Sequence, residues 1–288
     1  MRPPPPLGQS FFARWTSRIA VFSVGVLATA ILLHRLFGLP SPVAFNLVGL
    51  AFAGAALSLL FALFATVGIW RTGRPGTPRI VFAILVSLGL LAWPLIYLPQ
   101  YEASPKINDI TTDAAHPPLF VAIAKLRGPD ANPIAYPGAA FSKAQSAAYP
   151  DIKAIELNRT VDDAFEVASD AVRHLKLNVV GQETPDPKSG RPGTIEIVDR
   201  SMIVGFYDDL VIRVSGDEER ARIDVRSASR YGSIDLGRNA EHVRQLLKDI
   251  VVRMESVIPA ERTKGAAKAK DDVKVDEQRN RRLRRLRR

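Results

Sequence analysis

The chain has 288 residues, of which 47% are hydrophobic, and a formal net charge of +10 at pH 7. It contains no cysteine, which excludes disulfide frameworks, thiolate metal sites and cysteine nucleophiles. The apolar residues crowd into the first third of the chain, whereas much of the surplus positive charge follows Glu261. This uneven distribution predicts a membrane module, one soluble domain of ordinary size and a basic tail.

Three N-terminal segments predict transmembrane helices, at about residues 19–37, 43–70 and 80–98. The second and third contain no charged residue, and each is long enough to cross a hydrocarbon core of about 30 Å. A signal peptide is the alternative for the first segment, but it lacks a convincing cleavage site and two more spans follow it. No Asp, Glu or Lys interrupts the apolar stretches, so an anchor is favoured over a transporter or a channel. Gly49, Gly54 and Ser58 offer small faces at which helices can approach closely.

Arginines alternate between the predicted loops and thereby indicate the orientation of the membrane module. One group lies before the first span and between the second and third, and comprises Arg2, Arg14, Arg18, Arg71, Arg74 and Arg79. The other two flanking segments carry only Arg35 and Lys106. Because positively charged loops stay in the cytoplasm, we expect a multi-pass protein of the bacterial inner membrane. Its N-terminus would be cytoplasmic, and everything after Leu98 would be periplasmic.

The remainder of the chain predicts one soluble domain and its attachments. Residues 99–150 are rich in proline and predict a connection packed over the domain surface, with a short helix near residues 118–126. Beyond them, alternating and helical patterns predict a strand at 152–157, a helix at 161–175 with Thr160 as its N-cap, strands at 178–183, 194–199, 210–214 and 223–225, and a helix at 239–258. The soluble domain would thus span residues 151–259, between the membrane module (1–98) with its connection and a disordered basic tail (260–288).

The predicted order, β-α-β-β-β-β-α, indicates an α+β fold in which a mostly antiparallel sheet packs against two helices on one face. The other face of the sheet is charged, and carries Glu196, Asp209, Arg213, Asp224, Arg226 and Arg230. One interpretation is a solvated face of cross-strand ion pairs. The other is a charged groove partly covered by the proline-rich connection.

Four short motifs give the domain a family resemblance. They are Asn108–Asp113 (NDITTD), Tyr149–Ile152 (YPDI), Gly205–Asp209 (GFYDD) and Asp224–Arg230 (DVRSASR). This set resembles the bacterial domain of unknown function family 1499, whose members are uncharacterised envelope or membrane-anchored proteins, over roughly residues 107–258. The family has no assigned activity, so the resemblance implies a single domain and its boundaries but no mechanism.

The last motif and the start of the final helix predict a candidate anion site. Its members are Arg213, Arg226, Ser227, Ser229, Arg230, Asp235 and Asn239. Arg226 and Arg230 project from the same face of one strand, and the free amides at the start of the following helix favour an anion. The alternative is structural: Asp235 caps the helix, and the arginines pair with Asp208, Asp209 and Asp224.

Catalytic and metal-binding interpretations find less support. The four histidines, His34, His116, His174 and His242, show no spacing suited to a metal site. Asp208 and Asp209 are adjacent on a strand, so their carboxylates point to opposite faces. We therefore predict no catalytic residue, no metal and no cofactor, and the sequence leans against an enzyme without deciding the matter.

The leading functional hypothesis is an inner-membrane protein whose periplasmic domain binds or scaffolds an envelope component, one carrying negative charge in the favoured version. The expected partners are the lipid bilayer and, through the basic tail, anionic lipid, lipopolysaccharide or cell-wall polymer. Two alternatives stay open. One is a membrane-anchored enzyme acting on an envelope substrate, and the other is a cytoplasm-facing membrane protein with a nucleic-acid-binding tail. Nucleic acid is disfavoured because the tail has no aromatic residues for stacking.

Overall fold

The structure is a computed structural model that describes residue 8 and residues 10–255. The predicted basic tail (260–288) and the end of the predicted final helix lie outside these residues. The N-terminal part forms three long helices, α1 (Phe11–Leu36), α2 (Ser41–Thr72) and α3 (Thr77–Ile96), and the short helix α4 (Leu98–Ala103) follows α3. The three long helices have the length and apolar composition needed to cross a membrane.

Small side chains allow α1 and α2 to pack closely. Thr16 Oγ1 donates a hydrogen bond to the Ser58 carbonyl at 2.6 Å, and Ser58 Oγ donates to the Thr16 carbonyl at 3.0 Å. A Cβ on Gly54 would lie only 2.3 Å from Ser23 Oγ. The close approach predicted at Gly54 and Ser58 is therefore confirmed, whereas a Cβ on Gly49 would meet no atom within 4 Å. Hydrogen bonds supplement van der Waals packing between these helices, because apolar burial alone gives little selectivity in lipid.

The two ends of the helical bundle differ. The turn between α2 and α3 lies beside the start of α1, where the Ser10 amide donates to the Pro75 carbonyl at 3.5 Å. The connection between α1 and α2 lies at the opposite end, which contacts the soluble domain. The bundle thus has one end facing away from the domain and one end docked on it.

The soluble domain contains a six-stranded antiparallel sheet. Its strands are β1 (Asp109–Thr111), β2 (Ile155–Leu157), β3 (Asn178–Glu183), β4 (Gly193–Arg200), β5 (Tyr207–Gly216) and β6 (Ala221–Ser229), in the spatial order β1-β6-β5-β4-β3. The short strand β2 pairs with residues 221–223 of β6 and β1 with residues 226–228, so both follow the same edge of β6.

Two helices pack on one face of this sheet, as predicted: α6 (Val161–His174) and α7 (residues 238–255). Thr160 caps α6, because its side chain accepts a hydrogen bond from the Asp163 amide at 3.1 Å. A continuous apolar core lies between the helices and the sheet, and includes Phe165, Ile195, Ile197, Ile212, Ile223, Leu246 and Ile250. The α+β prediction is confirmed.

The connection between membrane module and domain crosses the opposite face of the sheet. It contains β1, a 3-10 helix (Ile123–Leu126) close to the predicted short helix, and α5 (Ala139–Ala148). Phe120 and Ile123 pack there against Val198, Val211 and Ala228. Of the two interpretations of the charged face, the solvated face is wrong and cover by the proline-rich connection is correct. The apolar side chains of the connection hold it over the charged residues and exclude water from most of them.

The sequence missed β1 and α5 for local reasons. β1 has only three residues, and its strand conformation comes from pairing with β6 rather than from its own pattern. The helix α5 fits between Pro137 and Pro150, whose presence argued against a continuous helix over a longer stretch.

Candidate functional site

Arg226 lies at the centre of the covered face and is 1% exposed. Its guanidinium donates two hydrogen bonds to the Asp109 carboxylate, of 3.0 and 2.7 Å. It also donates to the carbonyls of Pro118 and Ile134, at 3.0 and 2.9 Å. The ring of Phe120 lies over it, with the guanidinium carbon 4.6 Å from the ring centroid. One strand residue therefore binds three separate places in the connection.

Asp209, a neighbour on β5, is completely buried between two further arginines. Arg127 Nε donates to Asp209 Oδ2 at 2.8 Å, and Arg230 donates to both carboxylate oxygens. Arg127 also donates to the Asn132 carbonyl at 2.9 Å, which links the carboxylate to another turn of the connection. A buried charge needs a partner of opposite sign, and this carboxylate has two.

The buried carboxylate of Glu196 is paired with backbone amides, whereas that of Asp209 is paired with arginines. Its carboxylate accepts hydrogen bonds of 2.8 to 3.0 Å from the amides of Val121, Ala122 and Ile123, at the start of the 3-10 helix. Such a row of free amides stabilises negative charge. Gly181 on β3 permits the approach, because a Cβ there would lie 2.6 Å from the Ala122 Cβ.

The edge of this face carries a more accessible group. Arg213 donates to Asp224 Oδ2 at 2.8 Å and to Asp113 Oδ2 at 2.9 Å. Burial raises the pKa of the Asp113 carboxyl, but hydrogen bonds from the His116 amide and from Arg213 more than offset this, so its pKa lies below the ordinary value. Asp224 is completely buried and also accepts from Thr112 Oγ1 at 3.0 Å.

A second polar cluster lies on the helix face, beneath the start of α7. Ser227 donates to Asn239 Oδ1 at 2.7 Å, and Asn239 donates in turn to Ser229 Oγ at 2.9 Å. Ser229 then donates to Asp208 Oδ1 at 2.7 Å. Asp235 caps α7, since its two carboxylate oxygens accept from the amides of Gly237 and Asn239 at 3.0 and 2.8 Å.

Arg238 and His242 complete this cluster. Arg238 donates to Asp208 Oδ2 at 2.5 Å and to Asp199 Oδ2 at 2.7 Å, and His242 Nε2 lies 3.3 Å from Asp199 Oδ2. Burial raises the pKa of Asp208, although Ser229, His242 and Arg238 oppose it. Burial also raises the pKa of Asp199, but its contact with His242 outweighs this and holds the pKa below the ordinary value.

Two chemical roles can be tested against the contacts of this cluster, a metal site and a serine–histidine pair. Ligand atoms of Asp199, Asp208 and His242 lie within 4.8 Å of one another, a spacing that fits a metal ion. However, both carboxylates already accept hydrogen bonds from the Arg238 guanidinium, whose positive charge disfavours a metal cation next to it. Ser227 and His242 lie 3.3 Å apart, but the serine is completely buried and its proton is directed at Asn239. What the contacts show is a set of hydrogen bonds that joins β4, β5 and β6 to the start of α7.

The residues predicted as one anion site therefore lie on two faces of the sheet. Arg213, Arg226 and Arg230 lie on the face under the connection, whereas Ser227, Ser229, Asp235 and Asn239 lie on the helix face. The anion site stays a prediction, and the contacts favour its alternative, in which arginines pair with aspartates. The sequence predicted that arginines pair with Asp208, Asp209 and Asp224 without assigning the pairs, and each of these carboxylates does contact an arginine. It missed Asp109 and Arg127, which come from the connection. The motif Asn108–Asp113 contained the signal for Asp109.

The domain also docks on the bundle, through the loop between β4 and β5. His34 Nδ1 lies 2.9 Å from the Val204 carbonyl oxygen, and His34 Nε2 lies 2.9 Å from Ser41 Oγ. Phe206 stacks on Phe45 of α2, with ring centroids 3.9 Å apart and planes inclined by 8°. This loop, residues 201–206, is called the docking loop below.

Comparison with known proteins identifies the domain but not an activity. No curated protein matches the chain. A crystal structure of CalU16 from Micromonospora echinospora shows 12% identity, over 38% of this chain and 80% of that one, with a TM-score of 0.22, which is too low to carry an argument. Residues 109–250 match the family described as "Protein of unknown function (DUF1499)". The matched segment runs from the start of β1 into α7 and contains the whole sheet. The soluble part of this chain is thus a DUF1499 domain, the family that its four sequence motifs indicate.

Proposed function

We propose that this chain is a multi-pass inner-membrane protein that holds its DUF1499 domain in the periplasm, where the domain binds or scaffolds an envelope component. The observation that carries the proposal is the separation of charge along the bundle. The end that faces away from the domain carries Arg14, Arg18, Arg71, Arg74 and Arg79. The docked end has Arg35 at the end of α1. Because arginine-rich ends stay in the cytoplasm, this arrangement supports a domain on the outer side.

The internal pairing of the charged groups supports a binding or scaffold role over catalysis. An enzymatic alternative would use Asp208, Asp209, Arg213 and Arg226 together. Asp208 lies on the helix face and Asp209 on the covered face, and each is held by its own arginine partners. Reacting groups need to converge on one accessible point, and these do not. Binding of anionic lipid, lipopolysaccharide or cell-wall polymer by the basic tail stays part of the proposal.

Cysteine labelling tests the orientation, and the cysteine-free chain makes the test clean. We expect Ser189→Cys, in an exposed turn of the domain, to react with a membrane-impermeant maleimide in intact spheroplasts. Thr72→Cys, at the exposed arginine-rich end, is the matched control and should react only after the membrane is permeabilised. The opposite pattern would overturn the proposal and favour the cytoplasm-facing alternative with a nucleic-acid-binding tail.

A further inference from the structure

An apolar cavity of about 780 Å³ lies between the bundle and the domain. Its sides are formed by α2 and by the end of α3 with α4, and its roof by the docking loop. Aromatic residues dominate the lining, and they are Phe45, Phe52, Trp93, Tyr97, Tyr101 and Phe206. The volume falls within the range of about 300–1,000 Å³ that binding sites for small molecules occupy.

The position of the cavity makes it continuous with the predicted bilayer. Two of its walls are the ends of helices that have the length and composition of membrane spans. Tyrosine and tryptophan gather at the level of the lipid headgroups in membrane proteins, and Trp93, Tyr97 and Tyr101 meet that description. The docking loop adds Met202, which is 85% exposed and lies at the mouth of the cavity. An acyl chain from the bilayer can therefore enter without crossing water.

Positive charge without a carboxylate partner lies next to the docking loop, on Arg35 at the end of α1 and on Arg200 at the end of β4. Neither side chain lines the cavity itself, but Arg35 contacts the backbone of two residues that do. Arg35 donates to the carbonyls of Ser201 and Met202, at 3.1 and 2.7 Å. Arg200 donates to the carbonyls of His34, Arg35 and Gly205. Neither arginine forms an ion pair with a carboxylate within the part of the chain that the structure describes. Arg238 lines the cavity directly, but it already forms ion pairs with Asp199 and Asp208.

We infer that the cavity binds one anionic glycerophospholipid, with its acyl chain among the aromatic residues and its phosphate near Arg35 and Arg200. This inference rests on the proposed function only in requiring that the bundle crosses a bilayer. It names a specific lipid class, because two cations without a carboxylate partner contact the loop that roofs an apolar cavity. Together they complement an anionic headgroup joined to a hydrocarbon chain.

Fluorescence quenching tests the inference in the full-length protein. Trp15 and Trp70 lie toward the far end of the bundle, so the double variant W15F/W70F leaves Trp93 as the only reporter. This protein is placed in phosphatidylcholine vesicles containing a small fraction of lipid with brominated acyl chains, as either phosphatidylglycerol or phosphatidylcholine. We expect the brominated phosphatidylglycerol to quench Trp93 several-fold more strongly. Equal quenching by the two lipids would overturn the inference.

Matched variants separate the proposed site from general surface charge. Arg35→Gln with Arg200→Gln should remove the preference for phosphatidylglycerol, and the corresponding lysine pair should keep most of it. Arg71→Gln with Arg74→Gln, at the opposite end, should leave the preference intact. If this control pair abolished the preference, or if the lysine pair lost it as fully as the glutamine pair, the inference would be rejected.

A cavity-filling variant tests the acyl chain separately. Val48→Phe should reduce quenching of Trp93 by the anionic lipid, since Val48 lines the cavity. Val67→Phe, on an exposed position of the same helix, should not. No change in Val48→Phe would place the lipid outside the cavity. The cysteine labelling described above is independent of this result, so failure of the lipid site and failure of the orientation can be told apart.

Discussion

The two faces of the sheet are both covered, but by different means. On the helix face, α6 and α7 bury aliphatic side chains such as Ile197 and Leu246 in a continuous apolar core. On the other face, a connection with little regular structure covers charged residues, and arginines on the sheet bind its carbonyls and carboxylates. The helices contribute backbone groups that are already hydrogen-bonded, whereas the connection contributes groups that are not. Its backbone needs donors from the sheet, and arginine supplies several donors from one side chain.

The most specific motif of the chain, Asp224–Arg230, contacts the covering layers on both faces of the sheet. Successive side chains of the segment Asp224–Arg230 point to opposite faces of the sheet. On the helix face, Ser227 and Ser229 form hydrogen bonds in the polar cluster beneath the start of α7. On the other face, Arg226 forms hydrogen bonds with the connection. The same connection leads from the membrane helices, so Arg226 and Asp109 help to fix the domain relative to its tether.

The largest expected effect follows from removing Arg226. Arg226→Met leaves Asp109 buried without its partner, and breaking a buried ion pair in this way costs about 3–5 kcal/mol. We expect a large fall in the melting temperature of the purified protein. The matched control is Arg244→Met, which breaks an equally bidentate but half-exposed pair with Asp151, and exposed pairs contribute about 1 kcal/mol or less.

A double variant tests whether the covered face can be made apolar like the helix face. Arg226→Met combined with Asp109→Leu makes this part of the covered face apolar, like the helix face. Replacing both members of a buried pair is often neutral, so we expect the double variant to recover much of the lost stability. Recovery would show that the pair specifies the position of the connection more than it stabilises the domain. A double variant as unstable as Arg226→Met would contradict this and show that the carbonyls of Pro118 and Ile134 need the guanidinium.

An intermediate effect is expected at Glu196. Glu196→Gln replaces one of the two acceptor oxygens by an amide group that faces the backbone N–H groups of residues 121–123. An unsatisfied buried donor costs about 1–3 kcal/mol, and we expect destabilisation in that range by thermal or denaturant melting. Glu183→Gln, at an exposed position on the adjacent strand β3, is the control and should have little effect. Equal stability of the two variants would mean that the amides are satisfied without the carboxylate.

The difference between the faces also explains what could be predicted from the sequence. Aliphatic alternation and helical periodicity lie within each element, so β3, β4, β5, β6, α6 and most of α7 could be predicted. Cover of the charged face could be given only as one of two interpretations, because it depends on contacts such as Arg226 with Asp109, which are 117 residues apart. A charged strand face is commonly solvated, and only the position of Phe120 and Ile123 above it reverses that expectation.

The smallest expected effect is a pH dependence at the accessible edge of the covered face. The pKa of Asp113 in the folded protein lies below its ordinary value of 3.8. A carboxyl with a lowered pKa stabilises the folded state above pH 3.8, and this stabilisation is lost as the pH falls through the folded-state pKa. Asp113→Asn should therefore lower the melting temperature slightly at neutral pH and make it less sensitive to acid below about pH 4. Melting temperatures measured from neutral to acidic pH test this. Parallel curves for the variant and the unmodified protein would mean that Asp113 does not contribute to the pH dependence of stability. The hydrogen bond from Arg213 to the His116 carbonyl would then be the contact that holds this edge of the connection.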